Sequence, residues 1–243
     1  MFSFFKSKPA LVTDLSWLQV DIHSHLLPGI DDGAPNMETS IHLIEQLHAL
    51  GLKKFICTPH IFHELYPNTP ETILPQLALV KQELARKKVA VQLETAAEYM
   101  VDENFKVAEG LMCLPNKYLL IEMSYLNETP NIEKIIFDLQ INGYKIILAH
   151  PERYNFYHNN HAKYHRFKEM GCLLQLNLLS IVGYYGKAVE SQANYMLKNN
   201  LYALAGTDLH HEQHLTSLSK AVKSGLLHRR IGQYGFLNVK LFA

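Results

Sequence analysis

Nine imidazole and carboxylate side chains stand out in this chain of 243 residues: His23, His25, Asp32, His60, Glu98, Glu122, His150, Asp208 and His210. Histidine is the commonest metal ligand, and a carboxylate has two oxygens with which to chelate one cation or bridge two. His23 and His25 are two apart, so on extended backbone both side chains point to one face and can hold one ion between them. Asp208 and His210 repeat that spacing. One ion takes only about four to six donors, so a set of this size implies two or three ions. Imidazole and carboxylate without thiolate suit manganese, iron or zinc better than a soft-ligand site. Buried together without cations, these groups would cost several kcal/mol for each unpaired charge, which argues against inert packing.

Seven short, nearly continuous apolar runs must carry these residues: 18–22, 54–58, 90–96, 118–123, 145–149, 172–178 and 201–206. Runs without alternation are what parallel strands buried on both faces require. Between them lie helical patterns. Met37, Ile41, Ile44 and Leu47 recur at helical spacing and stop at Gly51; the pattern after Thr129-Pro130 stops at Gly143 in the same way. Residues 69–88, 103–112, 161–170, 187–199 and 212–224 complete the alternation, with Pro75 blurring the start of the first. This order predicts a (β/α) barrel or an open doubly wound sheet, in which chemistry gathers at the C-terminal ends of the strands. Six of the seven predicted strands run into a histidine or a carboxylate, and the sixth strand into Asn177 and Ser180. His42, His48, His158, His161, His165 and His228 read as surface residues; His63, His211 and His214 flank the candidate ligands and are left open.

Composition narrows the class. With 23 Lys+Arg against 23 Asp+Glu and no basic run, the chain lacks the cationic surface that tracks nucleic acid. A hydrophobic content of 48% is enough for one full-sized core, read as a single domain over 16–243 after a tail over 1–15. That tail holds Phe2, Phe4 and Phe5 but is too short for a membrane span or a signal-peptide core, so no membrane insertion is expected. Cys57, Cys113 and Cys172 form no CxxC pair, which points to neither a disulfide framework nor a thiolate site and makes a reducing cytoplasm the expected location.

The motifs 21-DIHSHLLPGIDDG-33, 58-TPH-60, Glu98 before Tyr99, 119-LLIEMS-124, 149-AHPERY-154 and 206-GTDLHH-211 resemble those of the PHP superfamily, named after polymerase and histidinol phosphatase. More narrowly they resemble the bacterial metal-dependent tyrosine-protein phosphatases of the CpsB/CapC type. The resemblance implies a distorted seven-stranded (β/α) barrel around three divalent ions, manganese first, with iron or zinc as alternatives. It implies that His23, His25, Glu98 and Asp208 hold one ion, that Glu98, Glu122 and His150 hold a second with Glu98 bridging, and that Asp32, His60 and His210 hold a third. It further makes Arg153, His60 and His210 the catalytic residues, Arg153 gripping phosphate with its planar fork. The family commonly carries an arginine shortly after the last ligand pair, where this chain reads 210-HHEQH-214. The implied partner is a phosphotyrosine protein, the Tyr-rich tail of a bacterial tyrosine autokinase in capsule or exopolysaccharide control.

The implied reaction is hydrolysis of a phosphomonoester by water that two cations make acidic near neutral pH. A tyrosinate leaves with modest help, since its pKa is about 10. The rival cysteine chemistry needs an arginine six positions after the nucleophile; those positions hold His63, Leu119 and Leu178. A histidinol-phosphatase-like small-molecule enzyme and a non-catalytic metal-binding scaffold are the alternatives. The aromatic 183-GYYG-186 reads as a loop turn or packing before it reads as a peptide contact.

Overall fold

Strands that are apolar on both faces bury themselves by lying parallel beneath helices, and the computed structural model, which describes residues 11–243, has this form. The strands are β1 (Val20–Asp21), β2 (Lys54–Cys57), β3 (His60–Ile61), β4 (Gln92–Thr95), β5 (Glu98–Met100), β6 (Tyr118–Glu122), β7 (Lys145–Ala149), β8 (Leu173–Asn177) and β9 (Tyr202–Gly206). The helices are α1 (Met37–Ala49), α2 (Pro70–Arg86), α3 (Ile132–Ile141), α4 (Ala162–Glu169), α5 (Lys187–Lys198), α6 (Glu212–Lys223), α7 (Leu226–Ile231) and α8 (Asn238–Phe242). All strand pairings are parallel, in the orders β1-β2-β4 and β3-β5-β6-β7-β8-β9. Because β2 runs into β3 across Thr58-Pro59 and β4 into β5 across Ala96-Ala97, the two sheets form seven successive steps of one ring.

The seam of that ring joins the first strand to the last. Asp208 N donates to His23 O at 2.8 Å, His25 N donates to Leu209 O at 3.0 Å, and Ser24 and Leu209 form a parallel bridge. Beneath them the buried Asp21 accepts from Thr207 N at 3.0 Å and from Thr207 Oγ1 at 2.5 Å. Burial pushes its carboxyl up to about 6 despite these bonds. This is the expected barrel, distorted where β2/β3 and β4/β5 break.

The alternation that the apolar runs conceal becomes visible in packing. Leu120 and Ile147 face a core inside the ring with Val20, Ile22, Ile56, Ala96 and Leu204, whereas Leu119, Ile121, Ile146 and Leu148 face the helices. Phe242 of α8 joins the inner core. Glu98 and Glu122 continue the inward parity of Ala96 and Leu120, which aims their carboxylates into the mouth.

Several expectations are corrected. Residues 103–112 form no helix; Asn104 N bonds the Asp102 side chain, Gly110 turns at φ +77, and Leu111 and Met112 donate to the hydroxyls of Tyr144 and Tyr99. Tertiary acceptors thus replace the local helical ones. The third predicted strand is two, with Glu98 opening the second, and His60 likewise opens β3 rather than ending β2. Pro75 lies inside α2, whose start is set by Thr69 in a capping box and by Pro70. Of the surface histidines, His48, His158, His165 and His228 are half-buried; His48 Nδ1 donates to Leu52 O at 2.8 Å and His158 Nε2 to Glu152 O at 2.8 Å. Residues 1–10, including Phe2, Phe4 and Phe5, lie outside the described residues. Leu15 at the end of the predicted tail is already buried, its N–H bonded to Leu50 O at 2.6 Å.

Candidate metal centre

Loops at the C-terminal ends of the strands bring all nine predicted ligands together. They form three overlapping groups: His23, Glu98, His150 and Asp208; His60, Glu98 and Glu122; and His25, Asp32, His60 and His210. Within each group the donor atoms lie within 4.8 Å of one another. Glu98 and His60 each belong to two groups, because Glu98 Oε2 faces His23 while Oε1 faces His150 at 3.2 Å, and the two ring nitrogens of His60 face opposite ways. His60 Nδ1 is 3.0 Å from Glu122 Oε1 and its Nε2 is 3.5 Å from Asp32 Oδ1.

Neighbours fix which nitrogens point inward. His23 Nδ1 donates to Gln175 Oε1 at 2.9 Å, His25 Nδ1 to Asp31 Oδ2 at 2.8 Å, and His210 Nδ1 to Asp208 O at 2.9 Å. The inward Nε2 atoms of His23 and His25 are 3.3 Å apart. Glu98 Oε2 and Asp208 Oδ1 lie 3.0 and 3.3 Å from the first and 3.3 and 3.4 Å from the second. Four ligands held tetrahedrally at about 2.0–2.1 Å from an ion stand about 3.3–3.4 Å apart, so this cage matches a divalent cation in size.

Chemistry supports the same fit. Both Glu98 oxygens and His150 Nδ1 are buried without a hydrogen bond, a state that cations relieve. Burial opposes charge on His23, but Glu98 and Asp208 outweigh it, so without metal its imidazole holds a proton more tightly than usual. An entering cation must expel that proton. His150 and Asp208 take up left-handed backbone, with φ of +31 and +49, strain that is characteristic of functional positions. Gly33 follows the Asp pair because a methyl there would overlap the His25 carbonyl.

Arg153 lies at the edge of the pocket of about 350 Å³ that these residues line. Its Nη1 donates to Asp208 Oδ2 at 2.7 Å, and its guanidinium sits 4.5 Å from the Tyr125 ring centre and 4.2 Å from that of Tyr185. His211 and His214 line the same pocket. Burial and then the neighbouring His211 push His214 down to about 4, so it offers no fixed charge in place of an arginine at neutral pH.

A family model described as "Capsular polysaccharide synthesis, CpsB/CapC" matches residues 19–236. The chain belongs to the CpsB/CapC family. Tyrosine-protein phosphatase YwqE of Bacillus subtilis is 27% identical over 195 residues, covering 79% of this chain and 77% of its own length. Tyrosine-protein phosphatase CpsB of Streptococcus pneumoniae is 29% identical over 202 residues, covering 79% and 82%. A structure described as that of YwqE and CpsB, "unique metal-dependent tyrosine phosphatases", superposes with a TM-score of 0.80 at 24% identity over 91% of each chain. An amidohydrolase from Mycoplasma synoviae shares the fold at a TM-score of 0.57 and 13% identity, covering 93% and 88%.

Within this CpsB/CapC frame the cysteines are inert. Burial raises Cys57 and Cys172 to about 12 and Cys113 to about 11, so none offers a thiolate near neutral pH. Sequence reasoning missed Asp31, Gln175, Tyr125 and Asn177, whose Nδ2 bonds Asp208 Oδ2 at 2.8 Å. Gln175 carried a readable signal: a lone amide inside an apolar strand needs a partner. Asp31 carried none that separates it from Asp32. Tyr185 of the GYYG turn was read as packing or a turn. Its loop does turn, with Gly183 and Gly186 at φ +78 and +92, while the ring itself lines the pocket.

Proposed function

We propose that this protein is a metal-dependent protein-tyrosine phosphatase that hydrolyses phosphotyrosine in a protein segment such as the tail of a bacterial tyrosine autokinase, in the cytoplasm. The observation that carries the reading is the run of three donor groups joined through Glu98 and His60, with Arg153 at the pocket edge. No helix among the described residues is long and apolar enough to cross a membrane. In this reading His23, His25, Glu98 and Asp208 hold one ion, Glu98, Glu122 and His150 a second, and Asp32, His60 and His210 a third, with manganese preferred over iron or zinc. When bound, such ions supply a water that is acidic near neutral pH and neutralise charge on the phosphoryl oxygens.

The chain's own residues do the rest. Arg153 presents two N–H groups to phosphate, and the tyrosines on either side hold its plane. Asn177 and Arg153 hold the outer oxygen of Asp208, leaving the other to face the histidines. Asp31, Gln175 and the Asp208 carbonyl keep three imidazoles in the tautomer that presents Nε2 inward. Asp32, half exposed, lies where substrate enters.

The test is elemental analysis of purified protein together with phosphotyrosine-peptide hydrolysis before and after chelation. The expected result is more than one equivalent of divalent metal and activity that returns with manganese. Chelator-resistant turnover, or faster turnover of histidinol phosphate, refutes it.

A further inference from the structure

Beside the metal pocket lies a second cavity of about 380 Å³ to which the phosphatase reading assigns nothing. One wall is the segment after β3, with Ile61 and Asn68; the other is β5 and its loop, with Tyr99, Met100, Phe105 and Leu111. Met100 lines both cavities, so the two are continuous. It follows the bridging Glu98 by two residues on the same strand, which puts it about 7 Å further along the same face.

The cavity is held open by specific bonds. Met112 N donates to Tyr99 Oη at 2.8 Å, and Leu111 N donates to Tyr144 Oη at 3.2 Å, which in turn donates to Ala108 O at 2.8 Å. Opposite, Asn68 Nδ2 donates to His60 O at 2.9 Å and to Ile30 O at 2.7 Å, tying that wall to the segments bearing His60 and Asp32. The loop wall is the stretch whose apolar spacing predicts a helix, and sequence and structure part company most often where function holds the backbone otherwise. Its Phe105 and Leu111 are thereby presented to the cavity. Lys106 on the rim has no carboxylate partner among the described residues.

Resting on the phosphatase reading, we propose that this cavity is a subsite for an apolar side chain of the substrate polypeptide, two or three residues from the phosphotyrosine. An extended peptide advances about 3.3 Å per residue, so a segment of that length spans from the metal pocket past Met100. Continuity with the metal pocket makes the occupant part of the same chain as the phosphotyrosine, and the free Lys106 favours an acidic residue beside it.

The experiment measures kcat/KM on acidic phosphotyrosine peptides in which a single leucine is moved from three residues before to three residues after the phosphotyrosine, against an all-glycine parent. At one position leucine should raise kcat/KM about tenfold, the scale expected for partly burying one aliphatic side chain. Phe105→Asp should bring the leucine-to-glycine ratio to about one, and Leu111→Asp, a second variant in case the first does not fold, should do the same. No preferred position, or a ratio unchanged in both variants, overturns the subsite. Metal-loaded wild-type protein that fails to hydrolyse even p-nitrophenyl phosphate refutes the phosphatase reading, and the subsite falls with it.

Discussion

Replacing Arg153 by lysine keeps a positive charge at the pocket edge and removes the planar fork. The guanidinium now lies 4.5 and 4.2 Å from two tyrosine ring centres, and each such contact contributes about 0.5–1 kcal/mol. Lysine offers phosphate a point charge in place of two parallel N–H groups, and losing one charge-assisted bond costs about 1.5–3 kcal/mol. The sum is about 2.5–5 kcal/mol, which at about 1.4 kcal/mol per tenfold is a loss of about 60-fold to 4,000-fold in kcat/KM. Initial rates on a phosphotyrosine peptide at saturating manganese measure it, with elemental analysis alongside. Bound metal should not change, because Arg153 donates only to Asp208 and phosphate. Tyr185→Leu alone should cost a few-fold and add little in the Arg153→Lys background, since both act on the same guanidinium. A loss under fivefold for Arg153→Lys, or one that follows metal content, refutes the assigned grip.

Other outcomes follow from the same geometry. Cys57→Ser should keep nearly full turnover while lowering thermal stability through a buried hydroxyl, about 1–3 kcal/mol by denaturant melt; abolished turnover in folded protein would revive a cysteine mechanism. Gln175→Ala and Asp31→Asn, which touch no ion, should weaken metal affinity about 10- to 100-fold in a metal titration, and unchanged binding would show that these groups do not orient His23 and His25. Asp208→Ala should lose activity together with part of its metal, whereas full turnover by a metal-depleted variant would end the mechanism.

The fold was legible because each strand is buried on both faces and each helix ends in a recognisable stop, as at Gly51 and Gly143. The ligands were legible because strand ends are where such a barrel exposes polar groups. What could not be read depends on contacts between distant segments. Residues 103–112 have helical spacing but find their acceptors on Tyr99 and Tyr144, which no local pattern reveals. Asp31 and Asp32 are chemically identical, and only the fold turns one towards His25 Nδ1 and the other towards His60 and His210. Tyr125 and Tyr185 come from loops after different strands and meet only at Arg153.

The barrel seam has a consequence for biosynthesis. Asp208 and His210 sit on the last strand to leave the ribosome, directly beside His23 and His25 on the first. A nascent chain that has emerged only through β8 carries most of the imidazoles yet lacks the acid that completes the innermost cage. Hydrolytic competence therefore arrives late in translation, and a cleavage that sheds the final strand would silence the enzyme while leaving six of its seven strand steps in place.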